Sequence, residues 1–131
     1  MAIRLNNALR DVMLGQVLTS LGSAELNVYD GSQPSTGGGA TTANLLVTFT
    51  GITWTEATNG TSILTADVYG TSGSAGTATW ARLSGTDGTS HVIDGNLGTA
   101  GTEADFVMST LSFPASQELI ITEITLIQPG E

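Results

Sequence analysis

The spacing of apolar positions along this chain changes once. From Asn6 to Leu21 the apolar residues are Ala8, Leu9, Val12, Met13, Leu14, Val17, Leu18 and Leu21. Steps of one, three and four mix, which predicts a helix over about 6–21 with a broad apolar arc. Asn6 or Asn7 can cap its start, Asp11 lies near the positive end, and Gly22 is a natural stop. Gly15 weakens the middle. Such a helix either covers one end of the domain's own sheet or docks on another subunit, and a broad arc suits both. The helix is expected to pack on its own sheet, with part of the arc or the residues before it touching a neighbour.

After Gly22 the period becomes two. In "AELNVYD" Leu26 and Val28 share a face, and "DGSQP" is turn chemistry. "STGGGATTAN" reads as a flexible loop. "LLVTFT" places Leu45, Val47 and Phe49 together, and "TNGT" around Asn59-Gly60 is a type I′ hairpin signal. "SILTADVYG" alternates Leu64, Ala66 and Val68 against Thr65, Asp67 and Tyr69. "TATWARLS" and "SHVIDG" read as a hairpin through "GTDG". "ADFVMSTLSF" and "ELIITEITLIQ" follow, the latter apolar on both faces at Leu119, Ile120 and Ile121 and therefore central. About eight short strands over roughly 24–128 predict a mainly β fold: one domain spanning 1–131, an antiparallel β-sandwich, jelly-roll-like, with one N-terminal α-helix.

Charge narrows the function classes. Three Arg (Arg4, Arg10, Arg82), no Lys and 12 Asp/Glu give −9, and there is no Cys. A grip on nucleic acid or an anionic membrane needs clustered cations, so neither partner is expected. No thiolate chemistry is available. Neither a secretory leader nor a bilayer-spanning run is visible, so the chain is expected to be soluble where it is made.

Candidate chemistry is sparse. His91 has Asp94 three residues on, which in a strand points the two side chains to opposite faces, and no GxSxG elbow supplies a nucleophile. Asp30, Asp87 and Asp94 each precede Gly in isolated turns, without the close oxygen spacing of a Ca²⁺ loop. Glu103 and Asp105 form the closest acidic pair, and Glu56, Asp67, Glu118 and Glu123 fall in predicted strands without selecting a facing pair for glycoside hydrolysis. No cofactor, metal, small-molecule substrate or enzymatic activity is expected. Trp54 and Trp80 lie on apolar-leaning faces and are expected in the core. Arg82 shares the face of Trp80. It can pair with an acid, stack on Trp80 or reach a neighbouring subunit.

"NALRDVMLGQVLTSLGSAELNVYDGSQPSTGGGA" and the later "GTATWARLSGTDGTSHVIDGNLGT" resemble a family of small virion proteins of tailed bacteriophages. The resemblance covers the front helix, the YDG-x-QP turn, the Gly loop and the G-T-A-x-W-x-R strand. It implies a structural role on the virion and carries no catalytic residues. The absence of Lys departs from an average phage protein. Two roles fit: a capsid decoration (cement) protein on the outer shell, binding the major capsid protein and copies of itself as a homotrimer, or a tail, neck or fibre-associated component. A virion-surface carbohydrate-binding module is a third. Residues expected to make interactions are Arg4, Leu5, Leu9, Arg10, Met13 and Arg82.

Overall fold

The first element is a helix, α1 (Asn7–Leu21), in a computed structural model that describes residues 3–85, 92–99, 101–102 and 104–127. The side-chain oxygen of Asn6 accepts the Leu9 N–H at 3.0 Å, which satisfies one of the donors left open at a helix start. Gly22, at φ 58°, ends it, its N–H still donating to the Leu18 carbonyl at 2.9 Å. Only one narrow stripe of the expected arc is used. Arg10, Leu14 and Leu21 are buried, with Val17 packed partly against the core. These positions recur at four, three and four residues, the spacing of one helix face.

Ten strands follow among the described residues, more than the eight expected because short pieces pair separately: β1 (Ala24–Tyr29), β2 (Leu45–Ile52), β3 (Thr61–Ile63), β4 (Val68–Thr71), β5 (Gly76–Thr77), β6 (Trp80–Ser84), β7 (Val92–Gly98), β8 (Phe106–Met108), β9 (Ser112–Phe113) and β10 (Glu118–Ile127). Eight form one curled sheet in the order β2-β1-β6-β7-β8-β10-β3, with β4 also on β10. β5 and β9 form a separate ribbon. The curl brings the outer strands together: the N–H groups of Gly73 and Ser74 donate to the Leu46 carbonyl at 2.9 and 3.4 Å. The fold is mainly β, sandwich-like, with one N-terminal helix. β10 is paired on both sides, by β8 on one and by β3 and β4 on the other, in keeping with its two apolar faces.

Four local expectations are corrected. The pairing of β7 with β8 is parallel, within an otherwise antiparallel sheet. A parallel link normally needs a dozen residues or more. Here the parallel pairing is confined to Leu97 and Gly98, with Phe106 and Val107. Leu45 does not join Val47 and Phe49. The ladder from Val28↔Val47 to Tyr29↔Leu45 skips Leu46, so Leu46 turns inward and Leu45 outward. Ala66 is exposed, because the predicted strand breaks there into β3 and β4. Asp67 lies in that break and Glu56 in a loop, so neither is a strand residue.

The core fills the inside of the curl with residues that alternate along the strands except where the register shifts in β2 and β10 reset the phase, among them Leu26, Val28, Phe49, Leu83, Ile121 and Ile124. Leu21 joins it from the helix, where Gly85 lies against Ser20 and Leu21 so closely that a Cβ would sit 2.8 Å from the Ser20 carbonyl. The Asn59-Gly60 turn has positive φ at both residues, 53° and 76°, as a type I′ hairpin requires.

Candidate functional site

Two polar constellations and one apolar face stand out. The first lies on the outer face of the sheet. Ala81 and Leu83 point into the core, so Trp80 and Arg82 point the other way. Arg82 sits directly opposite Asp94 across the β6–β7 ladder. Its Nε–H donates to Asp94 Oδ1 at 2.7 Å and its Nη2–H to Oδ2 at 3.0 Å. Nη2 also donates to the Gly39 carbonyl at 2.7 Å, while the Gly38 N–H donates to Asp94 Oδ2 at 3.0 Å. The glycine-rich loop is therefore strapped over the sheet by both partners of one ion pair. The hydrogen bonds to Asp94 hold the guanidinium above its ordinary pKa, against the opposing effect of burial.

Trp80 is buried by this strap and not by the sandwich core. Its Nε1–H donates to the Asp30 carbonyl at 3.0 Å. Tyr29 stacks on it at 4.6 Å between ring centroids, and the Arg82 guanidinium carbon lies 5.4 Å from its ring. Asp30 accepts the Asn44 backbone and side-chain N–H groups at 2.8 and 3.0 Å, which lowers its pKa and closes the base of the loop. A shallow cleft of about 450 Å³ beside it is lined by Asp30, Gly31, Ser32, Pro34 and residues 40–44. Of the Asp-Gly pairs expected in turns, Asp30 ends a strand at a bend, whereas Asp94 is corrected: it lies within β7, in the ladder opposite Arg82. Asp87, Glu103 and His91 lie outside the described residues. Asp105 exchanges hydrogen bonds with Asn96, its carboxylate accepting the Asn96 N–H at 3.0 Å and its own N–H donating to Asn96 Oδ1 at 2.8 Å.

The second constellation docks the helix. Asp11 accepts the N–H groups of Asn59 and Gly60 at 3.3 and 2.5 Å. Asn7 Nδ2 donates to Asn59 Oδ1 at 3.2 Å, and Arg10 Nη1 donates to Asn7 Oδ1 at 2.9 Å. Gly60 is packed on the Arg10 guanidinium, where a Cβ would come within 2.6 Å. The helix therefore crosses one end of the fold, from Gly85 to the tip of the 59–60 hairpin.

That anchoring leaves a face unused. Leu9 is 48% exposed, Val12 62% and Met13 38%, and these lie at i, i+3 and i+4 on the outward side of α1. Ile3 and Arg4 ahead of the helix are exposed as well, and Leu5 is half-buried. Of the six residues expected to make interactions, Arg4, Leu9 and Met13 are thus on the surface. Arg10 and Arg82 are buried or nearly so and engaged within the fold, Arg10 at the hairpin turn and Arg82 on Asp94 and near Trp80, two of the uses the sequence allowed it. Val12, the most exposed apolar residue within the helix, was not among the six, although its place beside Leu9 and Met13 in the arc is visible in the sequence. Trp54 packs half-buried against the core, its indole N–H without a hydrogen-bond partner among the described residues. No helix among the described residues is long and apolar enough to cross a membrane. No protein-family model, curated protein or solved structure matches this chain.

Proposed function

We propose that this chain is a non-enzymatic structural protein of a bacteriophage virion, a capsid decoration protein that binds the outer shell as an oligomer. The observation that carries the reading is the helix: one stripe is fastened to its own sheet and the adjacent stripe of Leu9, Val12 and Met13 is bare. An apolar stripe of this kind, set on a rigid support, suits a macromolecular contact better than a small-molecule site. The strapped outer face gives rigidity, and repeated copies around symmetry axes turn weak contacts into strong attachment. The resemblance of the helix, the YDG-x-QP turn and the W-x-R strand to tailed-phage virion proteins supplies the setting. The partners on this reading are the major capsid protein and further copies of the chain.

Copy number in purified virions tests it. Hundreds of copies per particle, removable from intact shells, support decoration. A handful of copies at one vertex would replace it with a tail or neck role. A carbohydrate-binding reading draws support from one exposed ring, Tyr69. Glycan-array binding abolished by Tyr69→Ala would favour it, and a blank array would remove it.

A further inference from the structure

The outward stripe of α1 has a counterpart at the opposite end of the fold. Leu45, pushed out by the bulge at Leu46, lines an apolar cleft of about 220 Å³ with Val47, Thr71 and Gly73, where β2 meets β4. Tyr69, exposed, lies two residues from Thr71 and hence on the same side of β4. The helix leaves the sheet where Ala24 pairs Ile52, whereas the cleft lies where Tyr29 pairs Leu45. The length of β2, roughly 25 Å, separates them, so a protomer's own helix does not fill its own cleft.

Charge divides the same way. Residues 1–24 hold two Arg against one Asp, net +1, in a chain of net −9. Arg10 and that Asp, Asp11, are both engaged at the 59–60 turn, which leaves Arg4 as the exposed charged side chain of the described part of this segment. The cleft is flanked by exposed acids, Glu118 opposite Thr71 in the β10–β4 register and Asp67 just before β4. Two acidic sheets facing each other repel, but a neutral-to-basic apolar helix against an acid-rimmed apolar cleft attracts.

We propose that copies of this chain associate head to tail, with Leu9, Val12 and Met13 of one copy seated on the Leu45–Thr71–Tyr69 cleft of the next and Arg4 directed at its acidic rim. A heterologous contact of this kind closes into a ring or extends as a filament. The inference shares with the proposed function only the premise that copies meet copies, and purified protein without any capsid tests it. Its failure would leave attachment to the shell to be judged by copy number.

The test is light scattering coupled to size exclusion on wild-type protein, Val12→Glu, Leu45→Glu and an equimolar mixture of the two variants. The substituted side chains are exposed, and circular dichroism checks that each variant folds. Wild type is expected to exceed the monomer mass. Each variant alone is expected to be monomeric, its association weakened roughly 100-fold. The mixture is expected to form a dimer and nothing larger, because one intact helix face meets one intact cleft. Arg4→Glu, outside the helix and unable to disturb the sheet, is expected to weaken wild-type association roughly tenfold at low salt. A monomeric wild type would overturn the proposal. So would a Leu45→Glu protein that assembles like wild type, the mark of helix-to-helix pairing, or a mixture that stays monomeric.

Discussion

Arg82 and Asp94 face each other across neighbouring strands in a two-point ion pair, Nε to Oδ1 at 2.7 Å and Nη2 to Oδ2 at 3.0 Å, with the Asp94 side chain only 2% exposed. Each also holds the backbone of the glycine loop. Removing one partner of a buried pair leaves the other charge stranded, a cost of about 3 kcal/mol or more. Asp94→Ala and Arg82→Ala are each expected to destabilise by that order in urea unfolding. The double variant should cost much less than the two singles together. Additive losses would show that the pair does not act as a unit.

The loop itself depends on Gly38. Its φ is +75°, and a Cβ there would come within 2.7 Å of Val92 Cγ2. Gly38→Ala is expected to lose roughly 1–3 kcal/mol of stability through backbone strain and contact. Gly37→Ala, with nothing within 4 Å, should lie within about 0.5 kcal/mol of wild type. Thermal melts of the two variants side by side check the contrast.

The hinge between helix and sheet is Asp11. Asp11→Ala removes the acceptor of the Asn59 and Gly60 N–H groups and is expected to cost about 2 kcal/mol. Hydrogen exchange should quicken at residues 59–60 and in the first turns of α1 while the β1–β6 ladder keeps its protection. Unchanged exchange in the helix would show that Leu14 and Leu21 alone hold it.

Asp30 gives a pH dependence of known sign. Its hydrogen bonds from Asn44 lower its pKa in the folded state from the ordinary 3.8. A depressed folded value contributes stability that is present above the unfolded pKa and is lost as pH falls through the folded one. Wild type is therefore expected to lose stability below about pH 4, and Asp30→Asn to lose less over the same range. The raised Arg82 pKa has the opposite sign: its contribution is complete throughout the range in which an ordinary arginine is charged and is lost only at pH values above it. It therefore adds no slope at neutral pH. Denaturant titrations between pH 2 and 7 measure both statements.

Much of this arrangement was legible in the sequence because it is local. The Asn59-Gly60 turn, the alternation of Leu26 and Val28, the caps at Asn6 and Gly22 and the shared face of Trp80 and Arg82 follow from spacing and backbone preference. Contacts across the chain were not legible. Nothing near Leu46 signals the bulge that exposes Leu45. Trp80 reads as apolar and is buried, but by a loop fifty residues earlier, not by the sandwich core. Arg10 is named from the sequence only as an interaction residue, and its packing under Gly60 was not legible, since only the folded hairpin brings that turn to the helix.

Cryo-electron microscopy of the parent virion shows whether the outward stripe of α1 is an interaction surface of a shell-decorating protein. Copies are expected on the outer capsid surface with Leu9, Val12 and Met13 covered by protein density. Copies confined to the tail, or copies on the shell with that stripe facing open solvent, would contradict the proposed function.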